Sequence, residues 1–410
     1  MKMTNFEVWG WGVPFPTEEN YINYKNAGFN VALIDTWGER YGSEKANAIF
    51  ALCDKLGLKA VPFAREDNAF FCFPKDTDKT DYMAFQSYDG AFLWDEAMEE
   101  ELDILESFIP EFERKNPGKN FRFNMTPMYP HSKFRIPEIP NNYDRVRYTL
   151  RDISARMLDK LHGRKIFSMD DYPLFCVNGK NQPKHDCLWA LEDCAMICKE
   201  KGYEFHVYLQ SSGNTWTNPD DPNEYTREIT SVKDLRFQIL CSLAYGVTGF
   251  GYFIYTTNPC YVVSALCEQD GTRTEKYEWA KTVNGEFWKY TSILEGYEWV
   301  KAGLLKGSMT AHYTLTCLTK MKYNSTDFSA VKLENSQRDV LIGELEKDGK
   351  YAYWVVNYTE PSEDTQNEIC LSFEGSPLFY KNGELLYVPE KDGKYTLKLG
   401  TGEGVFVQVL

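Results

Sequence analysis

The segment YDGAFLWDEA, residues 88–97, contains a turn, an apolar run and then Trp94, Asp95 and Glu96. Carboxylates avoid burial unless they are paired, so this run either reaches the surface here or ends at the edge of a cavity. Polar residues after a strand are also ordinary loop chemistry, and an Asp at such a place can cap the following helix or turn. The rest of the sequence must decide between these interpretations.

Similar polar clusters follow several other strand-like runs. They are Asp35-Thr36-Trp37, Arg65-Glu66-Asp67, Asn124 with Thr126, Asp170-Asp171-Tyr172, Gln210-Ser211-Ser212 and Tyr255-Thr256-Thr257. Carboxylates that converge among Trp and Tyr rings suit glycoside cleavage, in which one acid protonates the leaving oxygen and a second carboxylate acts at the anomeric carbon or on water. Partial burial beside Trp94 would raise a carboxyl pKa toward the value that a general acid needs.

The elements that must position these clusters alternate along the chain. From residue 5 to about 300, eight strand-like runs are each followed by a helical segment, of which the third is weak. This alternation predicts an α/β fold, a (β/α)8 TIM barrel with its active site at the carboxyl ends of the strands. A doubly wound sheet is the rival, but the Gly-rich phosphate turn typical of that fold is missing.

After about residue 310 the pattern changes to short alternating runs with DG and NG turns. Such a pattern predicts a small all-β sandwich. We therefore expect two domains, a catalytic barrel over residues 1–306 and a C-terminal β-sandwich over residues 307–410. We expect the sandwich to pack on the barrel rather than to bind substrate.

Period-two alternation assigns side chains to the two faces of each strand. In the run 204–212, His206, Tyr208 and Gln210 are expected to point into the barrel. In the run 165–173, Ser168 and Asp170 are expected to point inward and Asp171 to lie at the rim. A bulge would exchange Asp95 with Glu96, so alternation leaves open which of these two carboxylates points inward.

Composition excludes several classes of partner. The 410-residue chain has a formal net charge of -15, which argues against nucleic acid and anionic membranes as partners. Its 11 cysteines are scattered and predict reduced, mostly buried thiols. No apolar segment follows the N-terminus, so we expect no signal peptide and a cytoplasmic protein.

The five histidines form no pair with metal-ligand spacing, which makes zinc an unfavourable interpretation. We expect neither a metal nor a cofactor. Clustered oxygen ligands can bind calcium or magnesium, so a metal-dependent enzyme of other chemistry stays an alternative.

Five segments carry a resemblance to a known class of enzymes. They are WGWGVPFPTEENYINYKNAGFN, GAFLWDEA, FRFNMTPMYP, FSMDDYPL and LAYGVTGFGYFIYTT. Together with the predicted sandwich, they resemble TIM-barrel glycoside hydrolases of gut bacteria, which are distantly similar to clan A enzymes such as barrel-type β-galactosidases. The resemblance spans essentially the whole chain.

This resemblance implies roles for two residues. The acid/base of clan A is a Glu at the end of strand 4, usually preceded by Asn; Glu96 matches that position, with Asp95 where the Asn stands. The clan nucleophile is a Glu at the end of strand 7, where this chain has Gln210. Either strand 6 supplies the second carboxylate, or the substrate assists, or strand 7 aligns differently, or the protein only binds sugar.

The resulting hypothesis is a glycoside hydrolase that cleaves short oligosaccharides or glycosides. Glu96 is predicted as the general acid, with Asp170 or Asp171 as the second carboxylate and Asp170 favoured by its inward face. The predicted substrate-binding residues are Asp35, Trp37, Arg65, Trp94, Asp95, Asn124, Tyr172, Gln210 and Tyr255. The alternative is a non-catalytic carbohydrate-binding barrel, because strand 7 carries Gln210.

Overall fold

The computed structural model describes residues 1–34, 44–62, 82–96, 102–125, 143–213, 217–218, 221–257 and 264–410. The first strands are β1 (Glu7–Gly10), β2 (Val31–Ile34), β3 (Lys59–Pro62), β4 (Gly90–Asp95), β5 (Asn120–Met125), β6 (Ile166–Asp170), β7 (Leu174–Val177), β8 (Lys180–Pro183), β9 (Glu204–Gln210), β10 (Glu224–Thr226) and β11 (Gly249–Phe253). Eight of them form one parallel sheet in the order β3-β2-β1-β11-β9-β6-β5-β4.

The two edges of this sheet approach each other. The main-chain N–H of Ala60 in β3 donates to the carbonyl of Ser87, just before β4, at 2.7 Å, and the N–H of Asp89 donates back to the Ala60 carbonyl at 3.0 Å. The sheet is therefore a nearly closed barrel, which confirms the predicted fold class. Strands β7, β8 and β10 form a separate antiparallel sheet that follows β6.

Helices follow most of the barrel strands. They are α1 (Glu18–Asn26), α2 (Glu44–Leu56), α3 (Leu102–Lys115), α4 (Tyr143–Leu158), α5 (Cys187–Lys201), α6 (Val232–Ala244) and α7 (Glu275–Leu294). Between β3 and β4, the described residues form a short 3-10 helix, Tyr82–Ala84. Local sequence explains the ends of α1, since the Thr17 side chain accepts from the Asn20 N–H and Gly28 takes a φ of +86° beyond its last turn.

No helix in the described ranges has the length and apolar character to cross a membrane.

Alternating side chains of the barrel strands form two apolar cores. One set packs between strands and helices, in an outer core that includes Val8, Phe123 and Met169. The other set fills the barrel interior, with Trp9 and Tyr208 among its members. This two-sided burial is what a parallel strand requires, because helices cover one face and the closed barrel encloses the other.

The C-terminal part contains the predicted antiparallel sheets. Its elements are β12 (Glu298–Leu305), α8 (His312–Leu318), β13 (Val331–Ser336), β14 (Val340–Lys347), β15 (Lys350–Asn357), β16 (Gln366–Phe373), β17 (Pro377–Lys381), β18 (Glu384–Leu386), β19 (Glu390–Lys391), β20 (Lys394–Gly400) and β21 (Gly404–Val409). The sheets have the orders β12-β14-β15-β21-β17-β18 and β13-β16-β20-β19, and a third apolar core lies between them. Strand β12 pairs with β14, so the larger sheet begins before the predicted boundary at residue 306, which stays a prediction.

The larger sheet packs against helices of the barrel. The Trp354 ring contacts the Tyr290 ring of α7 at 4.8 Å between centroids. The Trp299 indole N–H of β12 donates to the carbonyl of Ala244, the last residue of α6, at 2.9 Å. A Cβ at Gly343 would lie 2.2 Å from the same carbonyl oxygen, so only glycine permits this approach of sheet to helix.

Candidate active site

A β-bulge in β4 determines which side chains of that strand enter the barrel. Phe92 lies opposite Arg122, Trp94 opposite Phe123 and Asp95 opposite Asn124, and the register shifts between Phe92 and Trp94. Phe92 packs in the barrel interior, whereas Trp94 packs in the outer core with 1% exposure. The extra residue therefore turns Asp95 inward, and it removes Trp94 from the cleft that the sequence analysis predicts for it.

Glu96 follows Asp95 in an unusual backbone conformation. Its φ is +54°, in the left-handed region that non-glycine residues seldom adopt, and such a residue costs about 1–2 kcal/mol. The Glu96 main-chain N–H donates to the carbonyl of Asn124 at 2.9 Å, which extends the pairing of β4 with β5 by one residue. Strained conformations of this kind persist where the surrounding structure holds them, and they cluster at functional sites.

Asn124 lies at the centre of the polar group on β4, β5 and β6. Its side-chain Nδ2 donates to Asp170 Oδ1 at 2.7 Å and to Asp95 Oδ1 at 3.3 Å. Its Oδ1 accepts a hydrogen bond from the Ser168 hydroxyl at 2.8 Å. Three of the predicted site residues, Asp95, Asn124 and Asp170, are thus brought together by a single amide, together with Ser168, which is not among the predicted site residues.

Asp170 is buried and has an altered pKa. Burial raises the pKa of its carboxyl group well above the ordinary value, and the nearby charges of Glu96 and Asp95 raise it further. The hydrogen bond from Asn124 acts in the opposite direction but does not outweigh these causes. Asp170 therefore keeps its proton to a higher pH than an ordinary Asp, while acidic side chains surround it.

Aromatic rings lie beside these carboxyl groups. The Tyr172 ring packs on Phe253 at 5.6 Å, and the Trp11 ring packs on Tyr208 at 5.9 Å between centroids. Burial raises the pKa of the Tyr172 hydroxyl well above its usual value, with the charge of Asp170 the next cause. The predicted site residue Tyr172 is therefore close to the acids, and Trp11 and Phe253 belong to the same wall although the sequence analysis does not select them.

Asp171 belongs to a different group of charges. Its Oδ1 accepts a hydrogen bond from the Lys184 ammonium at 2.8 Å, and Lys184 also pairs with Asp186 at 3.2 Å. All three side chains are buried. Burial acts to lower the pKa of Lys184, but the two carboxylates outweigh it and raise this pKa. Asp171 is therefore part of an ion pair that joins the end of β6 to the start of α5.

Gln210 is buried, and its side chain contacts main-chain groups. Its Nε2 donates to the carbonyls of Arg227, at 2.7 Å, and Leu174, at 3.1 Å, while its Oε1 accepts from the Leu174 N–H at 2.9 Å. These bonds tie the end of β9 to β7 and to the residue after β10. The structure thus gives Gln210 a role in holding the sheet of β7, β8 and β10, while its predicted contact with sugar hydroxyls stays a prediction.

Tyr255 lies outside the barrel interior. Its ring packs against Tyr24 of α1 at 4.8 Å and against Phe29 at 5.1 Å, in the outer core. A Cβ at Gly10 would lie 2.5 Å from the Tyr255 Cβ, so the absence of a side chain at residue 10 leaves room for this ring. Tyr255 therefore packs in the outer core, whereas the sequence analysis predicts it in the cleft. The predicted residues Asp35, Trp37 and Arg65 lie outside the described residues.

A network of charges lies at the opposite, amino-terminal end of the barrel. The buried Glu7 carboxylate accepts from Arg122 at 2.5 Å, from Arg164 at 2.6 Å and from Lys59 at 2.8 Å. Burial acts to raise the pKa of Glu7, but the two guanidinium groups outweigh it and hold this pKa well below its usual range. The sequence analysis does not select Glu7, because its partners are distant along the chain and nothing local marks it.

Among the residues that the structure describes, no three His, Cys, Asp or Glu side chains are arranged to hold a metal ion. The nine described cysteines are free thiols, eight of them buried.

Comparison with known proteins gives structural similarity alone. No family model matches the sequence, and no curated protein sequence matches it. A β-galactosidase from Bacillus circulans sp. alkalophilus has a similar structure, with a TM-score of 0.59 and 9% sequence identity over 99% of this chain and 99% of that chain. An α-amylase from Geobacillus thermoleovorans follows with a TM-score of 0.49 and 8% identity, over 100% of this chain and 99% of that chain.

A family 5 mannosidase from Rhizomucor miehei has a TM-score of 0.44 and 9% identity, over 70% of this chain and 94% of that chain. Of these three structures, the β-galactosidase has a TM-score above 0.5, and at such low identity the similarity concerns the fold. Over nearly its whole length, this chain has the barrel-and-sandwich fold of a solved glycoside hydrolase.

Proposed function

We propose that this protein is a glycoside hydrolase that acts on short oligosaccharides or glycosides. The observation that carries the proposal is the group formed by Asp95, Glu96 and Asp170 at the carboxyl ends of β4 and β6. Active sites of (β/α)8 barrels lie at this end of the strands. Glycoside hydrolysis needs two carboxyl groups in different protonation states, one to give a proton and one to remain charged.

The protonation of Asp170 supports a particular assignment of roles. Its pKa is raised by burial and by the Glu96 and Asp95 charges, so Asp170 is the natural proton donor of the group. This reverses the roles in the sequence-based hypothesis, in which Glu96 is the acid and Asp170 the second carboxylate. The charged partner is then a carboxylate of β4, Asp95 or Glu96. Asp171 is less suited to either role, because its carboxylate is neutralised by Lys184.

Substrate contacts come from the same rim. Tyr172, Trp11 and Phe253 supply flat apolar surfaces beside the acids, and such rings suit the apolar faces of sugars. The predicted contacts of Asp35, Trp37 and Arg65 with sugar hydroxyls stay predictions. The free thiols are compatible with the predicted cytoplasmic location, which also stays a prediction.

A non-catalytic carbohydrate-binding barrel is the second candidate. The observation that favours it is Gln210 at the end of β9, where the clan A resemblance implies a nucleophilic Glu. Its amide is occupied by main-chain groups of Leu174 and Arg227, so this position supplies no carboxylate. Binding of a saccharide without turnover would support this candidate.

The deciding experiment is turnover of a broad panel of α- and β-glycosides followed by NMR. Wild type, Asp170→Asn and the control Asp364→Asn are compared, because the Asp364 side chain is fully exposed on the sandwich. We expect wild type and control to cleave the same glycoside, and Asp170→Asn to be slower by about 10²–10⁴-fold. Cleavage of no glycoside by wild type, with saccharide binding detected by calorimetry, would replace this proposal by the binding protein.

A further inference from the structure

One amide group spans two carboxyl groups on strands that are not neighbours. Asn124 of β5 lies between β4 and β6, and its Nδ2 reaches Asp95 on one side and Asp170 on the other. A primary amide nitrogen carries two N–H groups, so it can donate one hydrogen bond to each carboxyl group. The Asn124 side chain therefore links the acids of two strands into one unit.

The carboxylate neighbours determine the direction of this amide, and Ser168 completes its hydrogen bonds. The Ser168 hydroxyl donates to Asn124 Oδ1 at 2.8 Å. In the reversed orientation, the amide oxygen would face the Asp95 carboxylate, which has no hydrogen to donate to it. With Nδ2 toward Asp95 and Asp170, and Oδ1 toward Ser168, the amide and all three of its neighbours have hydrogen-bond partners.

The bulge in β4 is what brings Asp95 to this amide. Asp95 lies opposite Asn124, and Asn124 lies opposite Ser168, so the three residues occupy one row across β4, β5 and β6. Without the bulge, Trp94 would take the inward position and Asp95 would point into the outer core. The inserted residue thus exchanges a bulky apolar side chain for a carboxylate at the mouth of the barrel.

We propose that Asp95 is the second catalytic carboxylate of the site, and that Asn124, hydrogen-bonded to Ser168, is the positioning residue that holds Asp95 and Asp170 for joint action. This inference rests on the proposed glycoside hydrolase function and assigns its charged carboxylate. Asp95 shares the Asn124 amide with Asp170, and its side chain is only partly buried. Asp170 is buried, and its pKa is raised by this burial and by the charges of Glu96 and Asp95.

The reaction then proceeds in two balanced steps. In the first, the bond between the anomeric carbon and the leaving oxygen breaks, Asp170 gives its proton to that oxygen, and an Asp95 oxygen forms a bond to the carbon. In the second, water attacks the anomeric carbon and gives a proton to the Asp170 carboxylate, while the bond to Asp95 breaks. Both carboxyl groups return to their starting states, and the net change is addition of one water.

The test compares isosteric variants on the glycoside that wild type cleaves. We expect Asp95→Asn to lower kcat by at least about 10³-fold and Glu96→Gln to lower it by less than 10-fold, with folding checked by thermal unfolding. Full activity of Asp95→Asn with loss in Glu96→Gln would overturn the inference and leave the glycosidase intact. If wild type cleaves no glycoside, the proposed function itself fails, and this inference fails with it.

A measurement on wild type avoids any dependence on how the variants fold. A 2-deoxy-2-fluoro glycoside of the cleaved sugar, with a good leaving group, slows the second step, so the sugar stays attached to its carboxylate. We expect fragmentation of the labelled peptide by mass spectrometry to locate the sugar on Asp95. Label on Glu96 or Asp170, or inactivation without any label, would overturn the assignment.

The positioning role of Asn124 has its own readout. Asn124→Ala removes a hydrogen bond that favours ionised Asp170, so the pKa of Asp170 rises further. We expect the high-pH limit of kcat/KM to move upward in this variant, with kcat reduced by about 10-fold or more and KM little changed. Ser168→Ala should move the limit in the same direction but less far. A loss of stability with an unchanged pH profile would reduce Asn124 to a structural residue and overturn this part of the inference.

Discussion

The side-chain amide of Gln210 and the main chain of Leu174 form two hydrogen bonds, one in each direction. The Leu174 N–H donates to Oε1 at 2.9 Å, and Nε2 donates to the Leu174 carbonyl at 3.1 Å. The second N–H of Nε2 donates to the Arg227 carbonyl at 2.7 Å. Because Leu174 begins β7 and Arg227 follows β10, one buried side chain connects the end of β9 to two adjacent strands of the sheet β10-β7-β8. A Glu has no N–H to donate, which gives a physical reason for the amide at this position.

Gln210→Glu should therefore destabilise the fold without creating a nucleophile. Replacement of Nε2 leaves two buried carbonyls facing a carboxylate oxygen, and an unsatisfied buried group costs about 1–3 kcal/mol. We expect the free energy of unfolding in urea to fall by at least that amount. Gln337→Glu is the control, because Gln337 is exposed, and it should leave stability unchanged. A stable Gln210→Glu variant with increased hydrolysis would contradict the structural role of Gln210. It would instead indicate that residue 210 belongs to the active site.

The raised pKa of Asp170 predicts the pH dependence of activity. A general acid must be protonated in the reactive enzyme, so kcat/KM should fall as pH rises through the pKa of Asp170. Since burial and the acidic neighbours raise this pKa, the limit should lie well above the ordinary Asp value of about 3.9. A pH–rate profile measures this high-pH limit. With an activated glycoside, whose leaving group needs no proton, most of the decrease in kcat/KM at high pH should disappear. A limit that persists unchanged in Asp170→Asn would assign it to another group.

The same shift predicts a pH dependence of stability. The folded protein binds the Asp170 proton more tightly than the unfolded chain does. The contribution of Asp170 is thus most favourable at low pH and is lost as pH rises from about 3.9 through the folded pKa. Urea unfolding of wild type and Asp170→Asn across this range should show wild type losing stability relative to the variant as pH increases. A constant difference between the two proteins would mean that the pKa of Asp170 is not raised by folding.

Regular periodicity allowed prediction of the barrel and of some inward residues. Alternation places Ser168 and Asp170 on the inner face, and their hydrogen bonds with Asn124 agree with it. Trp94 differs because the bulge in β4 exchanges the inward and outward positions that follow it. The sequence of β4 does not reveal at which residue this register shift occurs. The type of each element could be inferred, but the face of a residue near a strand end could not.

Long-range partners set a second limit on sequence reasoning. Gln210 acts through Leu174 and Arg227, and the Glu7 carboxylate acts through Arg122 and Arg164, which lie more than one hundred residues away along the chain. Nothing in the sequence near Glu7 marks it as buried, because a charged residue at the start of a strand usually faces solvent. These roles appear only when the closed barrel brings the strands together.

Glu7→Gln should destabilise the protein and leave the chemistry of the rim unchanged. Loss of one partner in a buried ion pair costs about 3–5 kcal/mol, because the remaining charges lose their counter-ion. The depressed pKa of Glu7 means that this advantage of wild type is present above about pH 4.3 and is lost as pH falls through the folded pKa. Glu18→Gln, which removes an exposed pair with Lys55, is the control and should change stability by less than about 1 kcal/mol. Equal unfolding curves for Glu7→Gln and Glu18→Gln would show that the charge network around Glu7 does not stabilise the fold.

The spacing of Asp95 and Asp170 predicts the anomeric configuration of the product. Their Oδ1 atoms lie 3.3 Å and 2.7 Å from the same Asn124 nitrogen, so they cannot be farther apart than the sum of these distances. That sum is below the roughly 6.5 Å at which the spacing of inverting enzymes begins, and it leaves no room for a water between acid and substrate carbon. We expect the first-formed sugar to keep the configuration of the glycoside, which NMR detects before mutarotation in a reaction run with high enzyme concentration. A first-formed sugar of the opposite configuration would exclude this pair and direct attention to a carboxylate farther from Asp170.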